Sequence, residues 1–201
     1  MMDVSLVEGL ILCGGQAQRM GGQDKGLIEL HKKPLFQHGI DRLGPQVGQL
    51  MINANRNIET YEQSGLPVYP DSYLNFSGPL AGFHVGLKNC ASPFLAVIPC
   101  DSPLFPENLV IRLYEAIEKE NADVSYVVTQ NQEGKKFSHP VFCLLRNGLL
   151  KQLTDFLDQG ERKIDRWFHQ LRYVEVLFDD DEAFANINTI DDLTQIESRL
   201  K

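Results

Sequence analysis

Apolar positions along the chain fall alternately into short continuous runs and into stripes at helical spacing. Val7, Leu10, Ile11 and Leu12 form a run that reads as a buried strand. Residues 34–43 place a proline at the first helical position, with Leu35, Phe36, Ile40 and Leu43 on one face. Residues 49–53 and 67–70 read as strands, separated by a short polar helix over 57–64. Another helix starts at Ser77 or Gly78, with Pro79 in its first turn and a stripe of Leu80, Phe83 and Leu87. Residues 94–98 are the most hydrophobic strand and are expected at the centre of the sheet. A helix over 106–118 then carries Leu109, Leu113 and Ile117 on one side. Strands over 123–128 and 140–145 flank the polar loop 130–136, which predicts a hairpin-like antiparallel pair. Helices over 148–159 and 161–170, the second anchored by Trp167 and Phe168, lead to a strand over 173–178 and an acidic turn over 179–182. Strand and helix alternating in this way predict an α/β domain with a mainly parallel, mixed sheet.

The 201 residues, 43% hydrophobic and 23% charged, suit one globular domain with a sizeable core. No apolar run approaches the ~20 residues needed to cross a bilayer, and residues 1–5 lack the basic flank and apolar core of a signal peptide. The expectation is a cytoplasmic protein with no membrane partner. Cys13, Cys90, Cys100 and Cys143 are widely spaced, as expected of small buried residues in a reducing compartment and not of a zinc site or disulfide framework. A net charge of −8 argues against broad nucleic-acid binding, which needs a basic face. A small anionic ligand is still open to a locally positive cluster.

Such a cluster follows the first strand. Gly14, Gly15, Gly21 and Gly22 lie there with Arg19 and Lys25. Glycines let the backbone approach a ligand and turn its N–H groups inward, and the cations suit a ligand with several negative charges, such as a triphosphate. A Walker loop is excluded because Lys25 follows Asp24 and precedes Gly26, and the pair Gly14-Gly15 breaks the dinucleotide fingerprint. In α/β sheets ligands sit beyond the carboxyl ends of the strands, so Asn53 and Asp71, which end the second and third strands, are candidates as well as ordinary turn residues. Asp101 follows the central strand between Pro99 and Pro103. It suits Mg²⁺, which takes one or two carboxylates and fills its shell with water and phosphate oxygens; the plainer role is to cap the helix near Pro106. His84 reads as a packed helix residue, His139 as structural, and Arg162, Lys163 and Arg166 as a solvated helix face. In the extended segment 185–189, Asn186 and Asn188 point to one side and Ile187 to the other, while Thr189 and Asp192 are placed to cap the last helix.

The stretch Leu12-Cys13-Gly14-Gly15-Gln16-Ala17-Gln18-Arg19-Met20-Gly21-Gly22-Gln23-Asp24-Lys25 resembles the signature of nucleotidyltransferases. With Gly26-Leu27-Ile28-Glu29-Leu30, Gly78-Pro79-Leu80, Cys100-Asp101 and Asn186-Ile187-Asn188-Thr189, it is similar to the molybdenum cofactor guanylyltransferases, and His139-Pro140 resembles a recurring element of that family near the acceptor site. Cys13 stands where the family more often has alanine. The resemblance implies a single three-layer, Rossmann-like nucleotidyltransferase domain, nucleotide-binding over about 1–104 and acceptor-binding over about 105–201. It implies GTP as donor, molybdenum-bearing molybdopterin as acceptor and Mg²⁺ as cofactor, with transient contacts to other cofactor-biosynthesis proteins or apo-molybdoenzymes. Leu12, Cys13, Gly14 and Gly15 would hold the nucleotide. Arg19 and Lys25 would neutralise the triphosphate, Asn53 and Asp71 would serve the guanine–ribose end, and Asp101 would hold the metal. Asn186 and Asn188 would meet the acceptor. Two alternatives stay open: the CTP-dependent cytidylyltransferase of the same cofactor, and a non-catalytic nucleotide- or cofactor-binding delivery protein.

Overall fold

The computed structural model describes residues 2–14, 24–73, 78–131 and 133–199. Strand β1 (Val7–Leu12) forms where the first apolar run permits burial on both faces. It is flanked on one side by β4 (Gln49–Asn53) and on the other by β6 (Phe94–Pro99), both parallel to it. Two two-residue strands, β2 (Glu29–Leu30) and β3 (Lys33–Pro34), make a separate hairpin. Beyond β4 lies the short β5 (Val68–Tyr69). Beyond β6 come β8 (Lys136–Arg146), β7 (Val124–Gln130) and β9 (Tyr173–Phe178), giving the order β5-β4-β1-β6-β8-β7-β9. Among the described strands of this seven-stranded sheet only β8 runs against its neighbours; β9 pairs in parallel with β7. The sheet is therefore mainly parallel and mixed, as expected.

Alternate side chains of the central strands enter two cores. Val7 and Ile11 of β1 and Phe94, Ala96 and Ile98 of β6 pack with α1 (Leu35–Leu43) and α4 (Leu109–Lys119). Leu10, Leu95 and Val97 face α3 (Pro79–Asn89), α5 (Leu150–Asp158) and α6 (Ile164–Phe168). Helices on both faces make three layers, and Trp167 and Phe168 are buried as the pattern anticipated. The short α2 (Ile58–Glu62) contributes Tyr61 to the first core, and α7 (Ile190–Arg199) closes the chain.

Four local readings are corrected. Pro34 precedes α1 instead of opening it, because it is paired in the β2–β3 hairpin across His31 and Lys32, both at positive φ. Helix α4 starts at Leu109 and not near 106, where buried Gln46 accepts the Val110 amide and donates to the Arg42 and Pro106 carbonyls. Helix α6 is five residues long, because Lys163 stands at its N-cap without a side-chain hydrogen bond and only one turn reaches the core. The hairpin strands extend into the expected loop, and the register jumps from Tyr126–Cys143 to Val127–His139. Pro140, which has no N–H to give a ladder, lies in the resulting bulge, while Phe142 packs between Phe105 and Phe184.

Candidate active site

Three distant parts of the chain meet beyond the carboxyl ends of β1 and β6. Lys25 Nζ lies 3.0 Å from Asp101 Oδ2 and donates to Asn188 Oδ1 at 2.5 Å, across sequence separations of 76 and 163 residues. Both ends of the ion pair are partly buried. Asp101 does not cap a helix: α4 begins eight residues later with Asn108 at its N-cap. The Asp101 carbonyl accepts the Ile187 amide at 2.8 Å, which lays segment 186–188 alongside it. Ile187 is fully buried, so Asn186 and Asn188 share the opposite side, as alternation required. Ser102 donates to Asn186 Oδ1 at 2.5 Å, so both amide oxygens are engaged by protein donors. The Asp192 carboxylate accepts the Asn188 and Thr189 amides while Thr189 Oγ1 accepts the Asp192 amide, fixing the start of α7. Those hydrogen bonds, the Asn188 amide first, hold the Asp192 carboxyl below its ordinary range.

Lys25 is seated by its predecessor. Asp24 N-caps the short 3₁₀ turn Lys25–Leu27. Its Oδ1 accepts the Gly26 amide at 3.2 Å and the Tyr61 hydroxyl at 2.7 Å, and its Oδ2 accepts from Asn57 Nδ2 at 3.0 Å. Tyr61 is fully buried edge-on against Phe36; burial first, then neighbouring Cys13 and Asp24, raise its pKa, so the hydroxyl stays a donor.

A second group lies at the ends of β1, β4 and β5. Asn53 Nδ2 donates to the Tyr69 carbonyl at 3.1 Å and to Asp71 Oδ1 at 2.8 Å. Asn55 Nδ2 donates to Asp71 Oδ2 at 2.8 Å and to the Gly14 carbonyl at 3.2 Å, and its Oδ1 accepts the Asp71 amide at 2.8 Å. Asn53 is buried beneath two glycines: a Cβ on Gly14 would stand 2.9 Å from Asn53 Oδ1, and one on Gly82 2.6 Å from it. The Cys13 amide donates to the Asn53 carbonyl and the Leu12 carbonyl accepts the Cys100 amide, so these two groups are spent on joining strands.

All four cysteines are buried free thiols. The hydrogen bond with Cys13 and burial push the Cys100 thiol well above the ordinary range, which leaves it a poor nucleophile. His84 is packed as expected, against Tyr73 and beside Thr154 Oγ1. Arg166 pairs with Glu161 on the surface. Beside Asn186 and Asn188 opens a cavity of about 380 Å³ walled also by His139, Asp181, Phe184 and Ile196.

The expected residues thus fall into two groups, Gly14 with Asn53 and Asp71, and Lys25 with Asp101 and Asn188. Gly15 and Arg19 lie outside the described residues. Asn55, Asp24 with Tyr61, Ser102 and Asp181 were not anticipated. Asn55 had a signal, since it sits two positions after Asn53 at a strand end; a tyrosine inside a short polar helix had none.

A mainly parallel sheet whose C-terminal edge gathers glycines, a lysine and a carboxylate is the frame of an α/β nucleotidyltransferase. The crystal structure of molybdopterin-guanine dinucleotide biosynthesis protein A from Archaeoglobus fulgidus shares the fold, with a TM-score of 0.76 and 23% identity over 96% of this chain and 98% of that one. The model of the MobA-like NTP transferase domain matches residues 9–175. The chain is 52% identical over 193 residues to the molybdenum cofactor guanylyltransferase of Cupriavidus necator, covering 96% of this chain and 97% of that protein. It is 50% identical over 200 residues to that of Polynucleobacter asymbioticus, covering 100% of both. The chain belongs to the MobA-like NTP transferase family.

Proposed function

We propose that this protein transfers GMP from GTP to the terminal phosphate of molybdenum-bearing molybdopterin, forming the guanine dinucleotide form of the cofactor and releasing pyrophosphate. The observation that carries the reading is the meeting of Lys25 from the glycine-rich stretch, Asp101 from the central strand and Asn188 from the acceptor-side segment. It joins a donor site to an acceptor site at one point.

An oxygen of the acceptor phosphate attacks the α-phosphorus of GTP, the bond to the bridging oxygen of the β-phosphate breaks, and pyrophosphate leaves. The attacking group is already anionic, so the protein needs no nucleophile of its own. It supplies position and charge neutralisation. Gly14 and Gly82 leave the room in which Asn53 is seated at the sheet edge. Asp71, oriented by Asn53 and Asn55, accepts from the N–H and O–H donors at the guanine–ribose end. Lys25 Nζ moves from Asp101 to phosphate oxygens, and Arg19 adds a second cation.

Among the described residues no three His, Cys, Asp or Glu side chains converge on a metal site, so these residues by themselves form no complete cage for a metal ion. The partly buried carboxylate of Asp101, beside a point where phosphates converge, fits Mg²⁺, which is commonly held by one or two carboxylates with substrate phosphates and water. Held there, Mg²⁺ would neutralise phosphate charge.

Mass spectrometry of a reaction with GTP and molybdenum-loaded molybdopterin tests the reading. The expected product is the pterin carrying one GMP through a pyrophosphate link. An unchanged pterin from folded protein refutes transfer; a cytidylylated product formed with CTP in place of GTP refutes the choice of base.

A further inference from the structure

Beside the two asparagines, the cavity has a wall that the reaction as described does not use. Thr129, fully buried on β7, donates its hydroxyl to Asp181 Oδ1. The same Oγ1 lies 2.9 Å from His139 Nε2, which is itself 3.4 Å from Asp181 Oδ1. A threonine hydroxyl has one proton, and an ionised carboxylate can only accept. With that proton given to Asp181, the contact to His139 holds only if Nε2 carries the hydrogen. This fixes the tautomer and leaves Nδ1 of the neutral ring an acceptor. Burial favours the neutral ring, lowering the His139 pKa against the opposing pull of Asp181. Phe184 backs the imidazole, with ring centres 5.5 Å apart.

The cavity is therefore divided by hydrogen-bonding sense. At the Lys25 end the oxygens of Asn186 and Asn188 are taken by Ser102 and Lys25, so those amides have N–H groups to offer, as an acceptor phosphate requires. Farther along the wall stand the Asp181 carboxylate, an acceptor, and the His139 ring, with Phe184 and Ile196 as apolar wall.

We propose that Asp181 and His139, held in register by Thr129, form the subsite that reads the N–H donor edge of the pterin ring. A 2-amino-4-oxo pterin presents an amino group and a ring N–H side by side, which a carboxylate can accept together. This rests on the guanylyltransferase reading for the identity of the acceptor, but its test does not depend on turnover. Thr129 is a positioning residue, and Asp181 touches the ligand.

The test is quenching of the fluorescence of 6-hydroxymethylpterin on binding to the wild-type chain, Asp181→Asn, Thr129→Val and Thr129→Ser, alongside GTP binding by calorimetry. Asp181→Asn turns an acceptor into a donor where the ligand brings donors, so pterin binding should weaken about tenfold or more while GTP binding stays unchanged. Thr129→Val should weaken it by a smaller factor, and Thr129→Ser, which restores the hydroxyl, should recover it. Equal pterin binding by the wild type and Asp181→Asn, or no binding by the wild type, overturns the subsite. Pterin binding that responds as expected, without pyrophosphate release from GTP and molybdopterin, keeps the subsite and refutes the transferase reading instead.

Discussion

The seat of Lys25 can be tested by a pair of substitutions with opposite steric effects. A Cβ added at Gly26 would stand 2.3 Å from the Tyr61 hydroxyl oxygen, far inside contact distance, with the ring carbons behind it at 3.2 and 3.3 Å. Tyr61 is fully buried and its hydroxyl is tied to Asp24 at 2.7 Å, so it has nowhere to withdraw. Gly26→Ala should cost about 1–3 kcal/mol, the usual range for overpacking. Tyr61→Phe removes a hydrogen bond to a carboxylate, worth about 1.5–3 kcal/mol. It also removes the atom in the way, leaving the new methyl with neighbours at 3.2 Å and beyond. The double variant should therefore be more stable than the sum of the single costs implies, by about 1–2 kcal/mol. Urea unfolding midpoints at a common slope give the three values. GTP affinity should follow the same order, since Gly26 adjoins Lys25. Costs that add to within about 0.5 kcal/mol would show that Tyr61 does not confine this turn.

Three other outcomes follow from the site and its surroundings. Lys25→Ala should weaken GTP binding about ten- to a hundredfold by calorimetry, the scale of a charge-assisted hydrogen bond to phosphate; unaltered affinity would remove Lys25 from the site. Gly82→Ala gains about 1 kcal/mol of helix propensity but sets its methyl 2.5 Å from Leu12 Cδ2 and 2.6 Å from Asn53 Oδ1. Asn53 is pinned by the Tyr69 carbonyl and Asp71, so GTP binding should fall, and binding equal to wild type would show that the asparagine yields freely. His84 and His139 are held below the ordinary histidine value of 6.5, chiefly by burial. The unfolded chain therefore takes up protons first as pH falls through 6.5, so their contribution is complete above that value and is lost below it, down to the folded pKa values. Urea midpoints across that interval should decline with falling pH, and a flat profile would contradict the burial of these rings.

The parts of the fold legible in the sequence are those where one force decides. Strands β1, β4 and β9 occupy the residues their apolar pattern marks, because burial in a sheet fixes both the period and the ends. The starts of α1 and α4 are not legible locally because a partner remote in sequence sets them: hairpin pairing holds Pro34 out of the helix, and Gln46 satisfies the first turn of α4. The register jump at Pro140 is likewise a property of two strands together. Within the site, Lys25 and Asp101 stand out because charge and strand-end placement are local features, whereas Asn188 is marked by the resemblance of Asn186-Ile187-Asn188-Thr189 to a family element, alternation giving only the side it shares with Asn186. Their meeting through one lysine nitrogen was not legible, nor was the burial of Asn53 beneath Gly14 and Gly82, which makes it a support for Asp71. Thr129 and Asp181 lie 52 residues apart on different elements, and nothing in either neighbourhood marks them as partners.

Guanylyl transfer to a phosphate-bearing pterin is decided by pyrophosphate release in the presence of Mg²⁺. GTP, CTP, ATP and UTP are compared with and without molybdenum-loaded molybdopterin, for the wild-type chain and for Asp101→Ala. Release is expected with GTP alone, only when the acceptor is present, and is lost in a folded Asp101→Ala variant. Release with CTP in place of GTP, or no release from folded wild-type protein, would refute guanylyl transfer, and an undiminished rate in Asp101→Ala would refute the role of Asp101.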